Sequence, residues 1–163
     1  KLINLRTSDK EVWGVDKDGS VFKRKIDDYT SNWTPVPGNL KSVSSNDKVV
    51  FGVNASNQVF KCDQPCNGKW DKVDGALSQL DISNSEIWGI NSSNYMYKRD
   101  IGLHKDWVGI PPPKDKKIAK VSVNDNWVWA IDSNQQVFNC KQPCKGGDEW
   151  KSPGGQLTQI NFR

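Results

Sequence analysis

The chain is poor in the residues that proton-transfer enzymes depend on. It has one histidine, His104, in 163 residues. His104 sits in an irregular insert, Gly102-Leu-His-Lys-Asp106, with no serine or cysteine partner evident in the sequence. Gly-rich phosphate loops, His-Glu-x-x-His pairs and EF-hand loops are all missing. A carboxylate pair for glycoside hydrolysis stays open from sequence alone, although the acidic residues recur with a repeat or sit in turns. The expectation is a protein that is not an enzyme, with no cofactor and no metal. Apolar runs are short. None approaches the roughly 20 residues of a membrane helix, and no signal sequence stands at the head of the chain, which therefore reads as mature or trimmed. Charge of one sign is also scarce. Lys and Arg number 23 against 19 Asp and Glu, a net charge of +4. The densest cluster, Lys114, Lys116, Lys117 and Lys120, reads as a solvated loop. Without a basic stripe, nucleic acid is not an expected partner. Sustained helical spacing is absent as well.

What the chain does have is one stretch written four times. It reads Val12-Trp-Gly-Val-Asp16, Val50-Phe-Gly-Val-Asn54, Ile87-Trp-Gly-Ile-Asn91 and Val128-Trp-Ala-Ile-Asp132. Each copy is followed by a polar turn and a second apolar run, as a hairpin is. Each is preceded by a Leu-x-x-Val frame: Leu2/Leu5, Leu40/Val43, Leu77/Leu80 and Ile118/Val121. Positions three apart on a regular strand point to opposite faces, so both faces are expected to meet apolar neighbours. A last piece opens at Trp33, Trp70, Trp107 or Trp150. Four strands per unit of about 40 residues fit the blade of a β-propeller. The repeats run over about 2–39, 40–76, 77–117 and 118–156 of a single domain, 1–163, with an extra strand at 157–163. The expected fold is all-β, a propeller of four antiparallel four-stranded blades. The alternative is an arc of a larger propeller, or a ring completed by a second chain through the extra strand.

Four cysteines form two pairs in the same frame, Cys62-Asp-Gln-Pro-Cys66 and Cys140-Lys-Gln-Pro-Cys144. Each spacing suits a short disulfide-closed turn and an oxidising, extracellular setting. Zinc is the rival reading, and it would require both pairs to converge. Units one and three carry Arg24 and Arg99 where units two and four carry Cys62 and Cys140. The chain therefore reads as a duplicated pair.

Ligand candidates follow from chemistry. A sugar needs a flat apolar surface for its C–H face and paired polar groups for its hydroxyls. Trp13, Trp88 and Trp129 recur inside the repeat and are expected in the core. Trp33, Trp70, Trp107 and Trp150 are candidates for half-exposed platforms. Trp127 stands where the other units have Glu11, Val49 and Glu86, so the repeat does not require it. Asp16, Asn54, Asn91 and Asp132 would supply one polar group per blade at one height, though turn residues bond their own backbone too. Arg24 and Arg99 could fork to a carboxylate, a phosphate or vicinal hydroxyls. Three N-x-[ST] sequons begin at Asn32, Asn54 and Asn91.

The frame Val-Trp-Gly-Val-Asn, then Val-Phe-Lys-Cys-x-x-Pro-Cys-x-Gly-x-Trp, resembles the tectonin family, which includes tachylectin-type and fish-egg lectins. Phe51 to Trp70 carry the likeness most closely, and it extends over essentially all of the chain. The resemblance implies a secreted lectin that binds glycans of microbial surfaces, lipopolysaccharide among them, at several equivalent sites. Rings of that family usually have six blades, and four repeats depart from this. A non-catalytic interaction or storage propeller is the alternative.

Overall fold

β-Branched and aromatic residues suit a pleated surface that is covered on both sides, and they set the strands here. The computed structural model describes residues 1–8, 10–28 and 30–161. Among them, the helical element is a 3-10 turn at Gly147–Glu149. The chain divides into two compact units, Lys1–Ala76 and Leu77–Arg163.

Unit 1 holds two antiparallel sheets. The first comprises β1 (Leu2–Thr7), β2 (Glu11–Asp16), β3 (Ser20–Lys25) and β4 (Thr34–Asn39), in that order. The second comprises β5 (Ser42–Ser45), β6 (Val49–Val53), β7 (Gln58–Asp63) and β8 (Asp71–Ala76). One face of the first sheet, Trp13, Val15, Val21 and Val36, packs on Leu40, Val43, Val50 and the Cys62–Cys66 bridge of the second. Trp70 clasps the sheets together, its Nε1 donating to the Pro37 carbonyl at 2.7 Å. Gly38, at φ 148°, leaves room for this contact, since a Cβ there would lie 2.7 Å from Trp70 Nε1.

Unit 2 repeats the plan. Its first sheet is β9 (Gln79–Ile82), β10 (Glu86–Ile90), β11 (Met96–Asp100) and β12 (Val108–Ile110). Its second is β13 (Ile118–Val123), β14 (Trp127–Asp132) and β15 (Val137–Lys141). Trp88, Ile90, Met96 and Ile110 pack on Ile118, Val121, Val128 and the Cys140–Cys144 bridge. Trp150 Nε1 donates to the Pro111 carbonyl at 3.1 Å. The edge beyond β15 is broken. Lys151 pairs with Asn139, and Gln156 with Gln136, as isolated bridges. Between them lie Pro153, which has no N–H to give, and Gly154 and Gly155, both at positive φ.

Two expectations from the sequence need correction. The Leu-x-x-Val frame does not straddle a strand. Ile118 and Val121 lie in one cluster, as Leu40 and Val43 do. In the fourth sheet a register shift between Ile118 and Lys120 inserts one residue, and that turns a three-residue spacing onto one face. From sequence, Gln135 standing where the other turns have Gly19, Asn57 and Asn94 implies a fourth turn of different shape, yet Gln135 takes φ 68°, beside 63° at Asn57 and 66° at Asn94.

Of the extra segment, Phe162 and Arg163 lie outside the described residues. Leu157 donates its amide to the Gln135 carbonyl at 2.9 Å, as Leu40 does to Gly19. No strand is assigned over 157–161 among the described residues, and Leu157 is 44% exposed.

Candidate functional site

Every sheet has two ends, and they differ in chemistry. At one end lie the hairpin turns after β2, β6, β10 and β14. Asp16 Oδ1 accepts the amides of Asp18 and Ser20, at 3.0 and 2.9 Å. Asn54 Oδ1 does the same for Ser56 and Gln58, Asn91 for Ser93 and Tyr95, and Asp132 for Asn134 and Gln136. These four side chains build one turn four times over. Asp132 is 2% exposed, with Lys116 Nζ 3.7 Å from its Oδ2.

At the other end lie the connections after β1, β3, β5 and β7, and their counterparts in unit 2. A cleft of about 530 Å³ opens there in unit 1, lined by Ser8, Lys10, Glu11, Lys25, Ile26, Asp27, Asp47, Gln64 and Pro65. Its volume lies in the range of small-ligand sites. Glu11 and Asp16 begin and end the same strand, about 17 Å apart at about 3.3 Å per residue. The cleft and the turn residues are thus separate places.

Glu11 is the best anchored group in the cleft. Its Oε2 accepts Trp13 Nε1 and Gln64 Nε2, each at 3.0 Å. Its Oε1 lies 3.5 Å from Lys23 Nζ. Lys23 stands over the Trp13 ring at 5.4 Å and donates to the Cys66 carbonyl at 2.9 Å. Gln64 is fixed in turn, its Oε1 accepting the Cys66 amide at 2.9 Å. The disulfide turn of the second sheet therefore orients a carboxylate of the first. Asp47 Oδ1 is buried and has no hydrogen-bond partner among the described residues. Sequence reasoning passed over Glu11, Gln64 and Asp47. A signal was available in Glu11 and Glu86, which share one register and each stand two residues before a Trp.

Unit 2 repeats this network. Glu86 Oε2 accepts Trp88 Nε1 at 2.9 Å and Gln142 Nε2 at 3.0 Å, and Lys98 stands over Trp88 at 5.3 Å. At the matching register of its second sheet stands Trp127, 38% exposed. The structure thus leaves an indole accessible where sequence expected an unexplained surface aromatic.

The other candidates sit at this end but face inward. Arg24 donates Nε and Nη2 to the Asp28 carbonyl, at 2.9 and 2.6 Å. Arg99 donates to the carbonyls of Lys105 and Leu103 and stacks on Trp107 at 5.9 Å. Each Arg thus closes its own loop where the other sheets carry a disulfide. Trp70 and Trp150 are the inter-sheet clasps, and Trp33 and Trp107 are half-buried. All four cysteines are tied up in the Cys62–Cys66 and Cys140–Cys144 disulfides, so the zinc alternative fails. Asn54 and Asn91 hold turn amides, and Asn32 is exposed. His104 places its Nδ1 2.9 Å from Asp100 Oδ2 in an exposed loop.

Repeated antiparallel sheets, three of four strands and one of three, with a clasping Trp inside each unit, define a propeller-type repeat protein. The solved structures agree. Human WBSCR16 superposes with a TM-score of 0.69 at 11% identity, over 90% of this chain and 49% of that one. The computationally designed Ika8 protein gives 0.69 at 12%, over 100% and 53%. YCF48 from Cyanidioschyzon merolae gives 0.62 at 16%, over 97% and 57%. The chain spans about half the length of the solved structures it matches. No curated protein matches it in sequence. The Tectonin domain model matches residues 1–162, and the chain belongs to the tectonin family.

Proposed function

We propose that the protein is a non-catalytic carbohydrate-binding module whose site is the unit 1 cleft. The observation that carries this is a fixed carboxylate, Glu11, beside a second carboxylate, Asp47, with Lys10 and Lys25 on the rim. The lining combines acceptors, donors and the apolar Ile26 and Pro65, and hydroxyl groups of a sugar are both donor and acceptor. Family membership favours a lectin that acts on microbial surface glycans, lipopolysaccharide among them. Two disulfides suit an extracellular setting, and no helix is long and apolar enough to cross a membrane. Weak single sites would gain avidity where many copies meet a repetitive surface.

A glycan array followed by titration tests this reading. Glu11→Gln keeps the shape and halves the acceptor capacity, and should weaken binding of the best glycan roughly tenfold. A blank array would favour the alternative, a protein-interaction module. That alternative has its own support in Ile3 and Leu5 on β1, which are 64% and 51% exposed.

A further inference from the structure

The two units match closely around Glu11 and Glu86, and they part at one pair of residues. In unit 2 the Asp125 carboxylate is filled from within the unit. Its Oδ1 accepts the backbone amide of Asn84 at 2.9 Å, and its Oδ2 accepts Asn84 Nδ2 at 2.7 Å. In unit 1 Asp47 holds the register of Asp125, and its Oδ1 is buried without a hydrogen-bond partner among the described residues. Asp9 holds the register of Asn84 and lies outside the described residues. A carboxylate at that position brings no side-chain N–H. A second difference runs the same way. Glu86 Oε1 receives Lys98 Nζ at 2.9 Å, whereas Glu11 Oε1 stands 3.5 Å from Lys23. At this end of the sheets unit 2 fills both oxygens of its aspartate, whereas unit 1 leaves Asp47 Oδ1 without a partner among the described residues. A buried acceptor without a donor is costly, so a ligand that supplies donors is favoured there over one that does not.

Resting on the glycan reading above, we propose that Asp47 sets the specificity of the unit 1 cleft by accepting two adjacent hydroxyls of a pyranose, and that unit 2 has no equivalent site. The Asn84–Asp125 pair shows which donors this register takes. It takes two neighbouring N–H groups on the two oxygens of one carboxylate, the arrangement that makes bidentate recognition selective. An unsubstituted vicinal diol presents the same pair of donors. A sugar that is O-methylated or deoxygenated at either hydroxyl does not. Lys10 and Lys25 line the rest of the cleft and donate to ring or glycosidic oxygens.

The test is calorimetric titration of the full chain with a methyl hexopyranoside chosen by array, in EDTA, beside its singly deoxy and O-methyl analogues. The wild type is expected to bind one sugar per chain. Asp47→Asn should weaken binding roughly ten- to a hundredfold, and loss of either hydroxyl of one adjacent pair should do the same. Asp125→Asn should change nothing. Asn84→Asp takes the side-chain donor from Asp125 Oδ2 and leaves the backbone amide on Oδ1, so any second site it opens should be weaker than the first. Thermal unfolding of each variant keeps a folding defect from passing as a binding one, and Asn84→Asp tests the idea by gain instead of loss. Binding that survives Asp47→Asn, or two sites in the wild type, overturns this inference alone. Binding lost in EDTA and restored by calcium overturns it in favour of a cation held by Glu11, Asp27 and Asp47. No saccharide binding at all overturns it together with the reading it rests on.

Discussion

Asp28 shows at the residue scale how these loops are held. Its Oδ1 accepts the hydroxyl and amide of Thr30, at 2.8 and 3.1 Å, and the amide of Ser31 at 3.0 Å. The Thr30 hydroxyl first, then the two amides, hold its carboxyl below the usual aspartate range. A carboxylate whose folded pKa is depressed contributes stability that is fully present above its unfolded value. That contribution is lost as pH falls through the folded value. We therefore expect the loop between β3 and β4 to stay ordered at mildly acidic pH and to loosen only below the ordinary aspartate range. An NMR titration of Asp28 with amide exchange at Thr30 and Ser31 checks this. An Asp28 that titrates at the ordinary value, with exchange unchanged on protonation, would remove the role assigned to it.

The same residue-scale view explains what sequence could and could not say of the site. Asp16, Asn54, Asn91 and Asp132 are conspicuous because they repeat, and they repeat because one turn is built four times. Arg24 and Arg99 stand out as forked donors, and their forks close on their own loops. Asp47 carries no such mark. It is one more aspartate in a loop, and it gains meaning only from the partner that Asp125 has and it lacks. Repetition in sequence reports the scaffold, and departure from the repeat reports the site. Trp127 fits that rule, whereas Asp47 recurs as Asp125 and the departure beside it is Asp9 in place of Asn84.

At the scale of elements, two chemistries do one job. The loops after β7 and β15 are closed by disulfides across four residues. The loop after β3 is closed across the same four residues by Arg24 on the Asp28 carbonyl. A bridge over so short a loop stabilises by about 2 kcal/mol in the chain-entropy model. Hydrogen bonds from a charged group to carbonyls contribute about 1.5–3 kcal/mol. Denaturant unfolding of Cys62→Ser/Cys66→Ser and of Arg24→Ala should thus give losses of similar size. The disulfide variant should also lose sugar affinity, because Gln64 and the Cys66 carbonyl orient Glu11 and Lys23. The arginine variant should keep most of it. Equal affinity losses in both would mean that the disulfide turn has no special hold on the cleft. Strand content was legible from the repeated apolar runs, each followed by a polar turn. The bulge in the Leu frame was not, because one inserted residue leaves no mark in composition.

At the scale of the molecule, two units share one network and differ in how its carboxylates are filled. The family and the repeat were readable from the sequence at once. The proposed inequality of the halves was not, because Asp9 against Asn84 is a single change between repeats. The account stands on the place where sugar is held. Backbone amide shift mapping during titration with the best array glycan tests that most directly. The account predicts perturbations at Ser8, Lys10, Glu11, Asp47 and Gln64, with the turns at residues 16–20, 54–58, 91–95 and 132–136 unmoved. Perturbations confined to those four turns, equal in size in both units, would contradict it.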